Sequence, residues 1–444
     1  MFHKNNKNNK KNNTVSLPLI ALTLLSHTVF SSAALAENIK IIHAGELLAV
    51  PGKTVQKRQS VVIKDNKITE IVSGYVSGKD YGDNVEIIDL KNDFVMPGMM
   101  DMHVHIQGEL GPDNARERLQ MSSELAGMRS VHFANKTLQA GFTTVRDLGA
   151  DPQQLYALRD AIANGWVDGP RIIASGGVSV TGGHGDVDGM RHDLMDKYTS
   201  KTICDGPYDC RRATRRAIKF GADVIKITST GGVLSDTNTG TGQQMANDEL
   251  KEVVDAAHAL GRKVASHAHA AEGINAALRA GVDSIEHGSY ADEDSIELFL
   301  DNDAYLVPTL LAGDTVLKMA QNSDFMSPAI KAKAQRVGAD MLKNFTNAYE
   351  EGVKIAFGTD SGVSKHGTNA QEAILMHEAG MKPMDIIKSA TVNAADLIDA
   401  SATLGTLEKG KYADIIAVDD NPLQDIRQLL SVKFVMKGGE VYKQ

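Results

Sequence analysis

His103 and His105 stand one residue apart in the run DMHVH. In an extended strand, residues i and i+2 project to one face, so two imidazoles at this spacing can hold one cation. A single H-x-H pair is weak by itself. Four further segments carry similar chemistry. Lys226 lies in the apolar run VIKI (224–227), where an amine is costly unless it is paired or altered. SHAHA (266–270) supplies His267 and His269, IEHG (285–288) supplies His287, and FGTDSG (357–362) supplies Asp360. Each has a plain alternative. His287 could be a satisfied core histidine, Lys226 could snorkel to a rim, and Asp360 could cap the next helix.

What gives these residues weight is the elements that would position them. From Met99 onward, short apolar runs alternate with helical patterns, which predicts βα units and a parallel sheet. Eight candidate strands begin near Met99, Phe142, Ile172, Asp223, Lys263, Val282, Tyr305 and Lys354. Between them lie helical stretches such as 248–260, with Leu250, Val253, Val254 and Ala257 on one face. Eight such units fit a (β/α)8 TIM barrel, whose chemistry sits at the C-terminal ends of the strands. A doubly wound sheet would be expected to carry a G-x-G-x-x-G turn after an early strand, and none is found. The histidines, Lys226 and Asp360 all fall at predicted strand ends, in chain order. A glycine-rich stretch, 175–189, follows the third strand and carries His184. Long loops in compact domains are usually functional.

Both ends of the mature chain read as β structure. Residues 61–63 and 68–72 flank a polar Asp65-Asn66 turn, and 85–90 is another β-prone run. Residues 413–418 are strand-like, and 432–436 and 440–442 flank Gly438-Gly439. Neither end can bury a good core alone. They are expected to pair into one small β-sandwich, formed by 37–96 and 404–444, with the barrel, 97–403, inserted between them.

The first 36 residues read as a signal peptide. Lys4, Lys7, Lys10 and Lys11 form a basic start, 15–25 is a short apolar stretch, and Ala34-Leu35-Ala36 is a small-x-small cleavage pattern. The expected location is therefore periplasmic or secreted, with no membrane attachment after cleavage. Export permits a disulfide between Cys204 and Cys210 in CDGPYDC. Overall the chain has 444 residues and a net charge of −9, with 42% hydrophobic and 23% charged residues. These values exclude a disordered or polytopic membrane protein, and the acidic balance argues against a nucleic-acid partner.

Taken together, the chain resembles the amidohydrolase superfamily of metal-dependent hydrolases. The likeness covers essentially the whole mature chain. It includes the entry PGMMDMHVH (97–105) and the exit GTLEKGKYAD (405–414). GFTTVRDLG (141–149), TGGHGD (181–186), GADVIKI (221–227), SHAHA and GVDSIEHG (281–288) make it similar to the prolidase-like, Xaa-Pro dipeptidase-like branch related to imidazolonepropionase. The resemblance implies two divalent metals, with zinc expected and Mn2+ or Co2+ compatible with the same ligands. His103, His105 and Asp360 would hold one metal, and His267 and His287 the other. Lys226, carboxylated by carbon dioxide to a carbamate, would bridge them. A bridging hydroxide would attack the amide carbonyl, with Asp360 carrying the proton to the leaving amine.

His269 shares a strand face with His267 and could be the ligand instead. The interval from His267 to His287 fits the branch better, which leaves His269 as a catalytic or substrate contact. His184 is expected to polarise the scissile carbonyl or bind substrate, and Tyr290 to bond a substrate carboxylate. Arg146 is expected to pair with a neighbouring carboxylate. The resemblance implies hydrolysis of a dipeptide, with N-acyl amino acids or ochratoxin-type xenobiotic amides as the alternative. A cyclic-amide hydrolase like imidazolonepropionase, or a non-catalytic metal-binding barrel, ranks lower. Similar enzymes are commonly homo-oligomers, so a homo-oligomer is expected here.

Overall fold

The computed structural model describes residues 38–444, apart from 236–239 and 323. The expected signal peptide lies outside the described residues. Four strands open the described chain: β1 (Ile39–Leu47), β2 (Gln56–Lys64), β3 (Lys67–Ser73) and β4 (Val85–Pro97). β2 and β3 form the expected hairpin, with Asp65 in the left-handed region at its turn. β4 runs well past the short strand read at 85–90. Opposite Gly45 the register jumps, so that Ala44 faces Leu90 and Glu46 faces Phe94. The polar Lys91-Asn92-Asp93 is thus a bulge inside one strand rather than its end. Gly45 is needed there, because a Cβ would sit 2.3 Å from the Lys91 carbonyl oxygen.

The chain then turns at Gly98 into nine parallel strands. They are β5 (Met99–Val104), β6 (Phe142–Asp147), β7 (Arg171–Val180), β8 (Ile203–Cys204), β9 (Val224–Thr228), β10 (Lys263–Ala268), β11 (Ser284–His287), β12 (Tyr305–Val307) and β13 (Lys354–Ile355). Eight of them pair in the order β13-β12-β11-β10-β9-β7-β6-β5, and β8 adds beside β7. Backbone bonds from Met102 N to Phe357 O, Asp360 N to His103 O and His105 N to Ser361 O link the segment after β13 back to β5. The eight strand starts lie within two residues of those read from sequence. The helical stretch read at 248–260 is the helix Asn247–His258, with Leu250, Val253, Val254 and Ala257 all buried. Cys204 and Cys210 are disulfide-bonded.

The last strands, β14 (Ile415–Val418), β15 (Phe434–Lys437) and β16 (Glu440–Lys443), return to the first domain. β14 pairs antiparallel with β4, giving one seven-stranded sheet ordered β16-β15-β14-β4-β1-β2-β3. It curls about a core that both chain ends share: Ile42, Val61, Ile88, Ile415 and Phe434.

Strand alternation then sorts the barrel residues. On β5, Met100 and Met102 pack outward against Ala394 and Leu397, while Asp101 and His103 belong to the opposite face. On β9, Ile225 and Ile227 join the main core and Lys226 lines a cavity instead.

Candidate active site

The inward positions of these strands meet at one end of the barrel, on the floor of a cavity of about 800 Å³. His103, His105, His184, Lys226, His267, His269, His287 and Asp360 all line it. His105 Nε2 is 2.9 Å from Asp360 Oδ1, and His103 Nε2 is 3.5 Å from the same oxygen. Ligand atoms of His103, His287 and Asp360 converge within 4.8 Å, as do those of His267, His269 and His287. His287 belongs to both groups. The rings of His184 and His267 lie tilted against each other with centroids 4.3 Å apart.

Two of these residues reach the cavity through unusual backbone. His287 has φ +72° and Asp360 φ +56°. Glu286 points into the barrel, so simple alternation would send His287 outward. The left-handed turn at His287 brings its ring back. Such conformations cost of order 1–3 kcal/mol and cluster at functional sites.

Four of the imidazoles are tied at Nδ1. His105 Nδ1 bonds the Gly149 carbonyl at 2.6 Å, and His287 Nδ1 lies 2.6 Å from Thr309 Oγ1. His269 Nδ1 lies 2.8 Å from Ser289 Oγ, and His184 Nδ1 2.6 Å from Ser235 Oγ. His103 Nδ1 faces Glu286 Oε2 at 2.9 Å. Glu286 also accepts from Arg146 at 2.8 Å and from Ser284 at 2.6 Å. Arg146 therefore pairs with a carboxylate, as expected. Asp101 accepts from Thr359 Oγ1, Asn369 Nδ2 and the His103 amide, which pins β5 to the turn that carries Asp360.

Burial keeps most of these rings neutral. It pushes His103 and His184 down to about 4, with the Lys226 charge adding to it, and His269 down to about 3. His267 and His287 fall well below the usual histidine range for the same reason, helped by neighbouring histidines. Burial also brings Lys226 down to about 8, against the pull of Glu286 and Asp360. Its amine makes no hydrogen bond or ion pair among the described residues. Burial would raise Asp360 too, but His103 and His105 outweigh it and hold the carboxyl far below its usual range. Neutral imidazoles and an ionised carboxylate are the donor set a divalent cation requires. Asp360 Oδ1 is buried without an aligned hydrogen bond among the described residues, although two imidazole nitrogens crowd it. That crowding fits ligands aimed at a common cation.

An amidohydrolase family model matches residues 94–442. The chain belongs to the amidohydrolase family. Ochratoxinase from Aspergillus niger is 32% identical over 96% of this chain and 91% of its own length. A solved Xaa-Pro dipeptidase with methionine bound in its active site is 42% identical, covers 92% of this chain and all of its own, and superposes with a TM-score of 0.86. A prolidase complexed with N-methylphosphonate-L-proline is 30% identical over 92% of this chain, with a TM-score of 0.83.

Within this amidohydrolase, the cavity gathers every sequence-read site residue except Tyr290. That side chain is absent from the cavity lining, and its phenol instead feels Asp340 and Arg336. The Tyr290 amide bonds the His269 carbonyl, so its backbone adjoins the site although its side chain is not in the lining. Sequence reasoning assigned nothing to Glu286, Asp101, Thr309, Ser289 or Ser235. Glu286 and Asp101 stood inside quoted motifs. The hydroxyls gave no signal, because serine and threonine are common at strand ends.

Proposed function

We propose that this amidohydrolase is an exported enzyme that holds two divalent metals, zinc first among them, and cleaves the amide bond of a dipeptide, Xaa-Pro or another Xaa-Xaa. The observation that carries this reading is the approach of His103 and His105 to one oxygen of Asp360, in a cavity that also gathers His267, His269, His287 and Lys226. The first three residues would hold one metal and the two histidines the other. The metals would supply Lewis acidity to the amide carbonyl and acidify a water.

The chain's own groups do the rest. The Lys226 amine, brought down to about 8 by burial, is partly unprotonated near neutrality. It can therefore add carbon dioxide, forming an N–C bond and releasing a proton, and the resulting carbamate offers two oxygens as ligands. Asp360 takes a proton from the attacking water and returns it to the leaving nitrogen. If Ser235 donates to His184 Nδ1, the hydrogen sits on Nε2, which can then donate to the carbonyl oxygen. The His184 ring lies against Gly232, where a Cβ would sit 2.2 Å from it. His269 lies beside the same groups as a substrate contact.

The test is release of amino acid from a dipeptide library, each member run beside its N-acetylated form, with zinc and bicarbonate present. Cleavage of free dipeptides alone supports the dipeptidase reading. Comparable cleavage of acetylated forms favours N-acyl amino acid hydrolysis, a second reading supported by the likeness to ochratoxinase across nearly the whole chain. No cleavage in protein carrying two metals sinks both. Export is tested by the N-terminal residue of protein recovered outside the cytoplasm, which should be Glu37. A homo-oligomer is tested by light scattering.

A further inference from the structure

We infer that one side chain flanking the scissile amide is bulky and apolar, and that charged side chains of either sign are rejected there. This rests on the amide-hydrolase reading and deepens it. Beside the histidines, one wall of the cavity is built from Leu110, Val316, Ala334, Val337, Met341 and Val363. Several of these belong to a hydrophobic cluster separate from the barrel core. Two helices, Leu310–Asn322 and Pro328–Glu350, supply Val316, Ala334, Val337 and Met341 to it. They cross closely enough that a Cβ on Gly313 would lie 2.6 Å from Met341 Sδ. Met341 is thereby pressed across Gly313 and held at the cavity.

Among the described residues, Lys226 aside, which belongs to the proposed metal site, no charged group lining the cavity is free to hold a charged side chain. Glu109 lines the cavity but pairs with Lys365 at 2.9 Å and Lys136 at 3.4 Å, and accepts from the His366 amide. Asp151 caps the helix Pro152–Ala163 through the amides of Gln153 and Gln154. Asp360 is held among the histidines. Among the described residues, no arginine lines the cavity and Lys226 is its one lysine. A guanidinium or carboxylate laid on the apolar wall would lose hydration without a partner. A volume of about 800 Å³ is near the upper end of the roughly 300–1,000 Å³ of ordinary ligand sites. A substrate with two small side chains would leave the wall wet.

The experiment compares kcat/KM for Ala-Leu, Ala-Phe, Ala-Gly, Ala-Arg and Ala-Asp, and for the reversed sequences. In at least one series Leu and Phe should exceed Gly, Arg and Asp by about tenfold or more, the scale of discrimination an apolar pocket provides. Equal or better cleavage of the Arg or Asp members in both series overturns the inference. Calorimetric binding of the same peptides to metal-loaded Asp360→Asn separates the pocket from the chemistry. Tighter binding of the apolar members there supports the pocket even if nothing is cleaved, and equal binding overturns it. Absence of cleavage by the unaltered enzyme counts against the amide-hydrolase reading alone. Val337→Asp should lose about tenfold on Leu and gain on Arg, a swap that misfolding cannot produce. Should that variant not fold, Met341→Ala should shift preference from Leu toward Phe, and no shift counts against the wall.

Discussion

Glu286 Oε2 lies 2.9 Å from His103 Nδ1, and its other oxygen takes Arg146 at 2.8 Å. All three side chains are buried inside the barrel. Burial alone would raise the Glu286 carboxyl, but Arg146 and His103 bring it down to about 2. It is therefore ionised, and its charge beside Nδ1 favours the tautomer of His103 that carries its hydrogen there. Nε2 is left with its lone pair facing Asp360. Carboxylate–histidine pairs of this kind orient metal ligands and typically matter by about 10–100-fold in affinity. Glu286→Gln should weaken metal binding by about 10–100-fold in competition with a chelator. Unchanged affinity would show that His103 needs no such support.

Removing the other partner has a different outcome. Arg146→Met leaves a buried carboxylate uncompensated, and breaking such a pair costs about 3–5 kcal/mol. The midpoint of urea unfolding should fall even for metal-free protein. A midpoint equal to that of the unaltered chain would show that water or a proton replaces the guanidinium.

Lys226 gives a prediction that is independent of turnover. Protein equilibrated with 13C-bicarbonate should show one carbamate resonance, absent from Lys226→Met. The variant should lose activity by at least about 100-fold while keeping its far-UV spectrum, a loss on the scale of removing a positioned catalytic group. An identical resonance in the variant would place the carbamate elsewhere.

The sequence made the strand order, the split first domain and most of the cavity residues legible, because each depends on a short-range pattern. Apolar runs locate strands, H-x-H fixes a shared face, and an amine in VIKI is conspicuous. What stayed hidden depends on backbone dihedrals and long-range approach. Nothing in IEHG says that Glu286 and His287 both reach the interior, since period-two alternation allows only one. The left-handed turn at His287 permits both. Tyr290 looked well placed by proximity to His287, yet its side chain does not line the cavity, and nothing local in the sequence says so. The polar bulge in β4 hid a long strand behind what looked like the end of a short one.

At the other end of the chain's barrel, His258 Nε2 meets Asp283 Oδ2 at 2.9 Å, and that bond raises the His258 pKa against partial burial. The folded state therefore holds the proton more tightly than the unfolded chain. The stabilisation is complete below the unfolded value of about 6.5 and is lost as pH rises through the folded one. The pair is partly exposed, so it contributes no more than about 1 kcal/mol. The stability difference between the unaltered enzyme and His258→Gln should be present at acid pH and shrink in alkali. A difference that grows with pH would reverse the assignment.

The Cys204–Cys210 bond joins β8 to the helix Pro207–Lys219, and Ser200, Thr202 and Ile203 beside it line the cavity. Both cysteines are buried, so the bridge fastens one lip of the site to the barrel wall. Closing so short a loop contributes less than the ~3 kcal/mol of a 15-residue loop, and about 2 kcal/mol is expected. Such a bond is favoured in an oxidising compartment, which is where the proposed exported enzyme would work. Cys204→Ala with Cys210→Ala should therefore unfold at lower urea than the oxidised chain. Because the lip bears on substrate binding and not on the histidines, KM should rise more than kcat falls. Reductant should do the same to the unaltered enzyme and nothing to the double variant. Equal midpoints with and without reductant would mean that the bridge carries no stability and that the lip is held by packing alone.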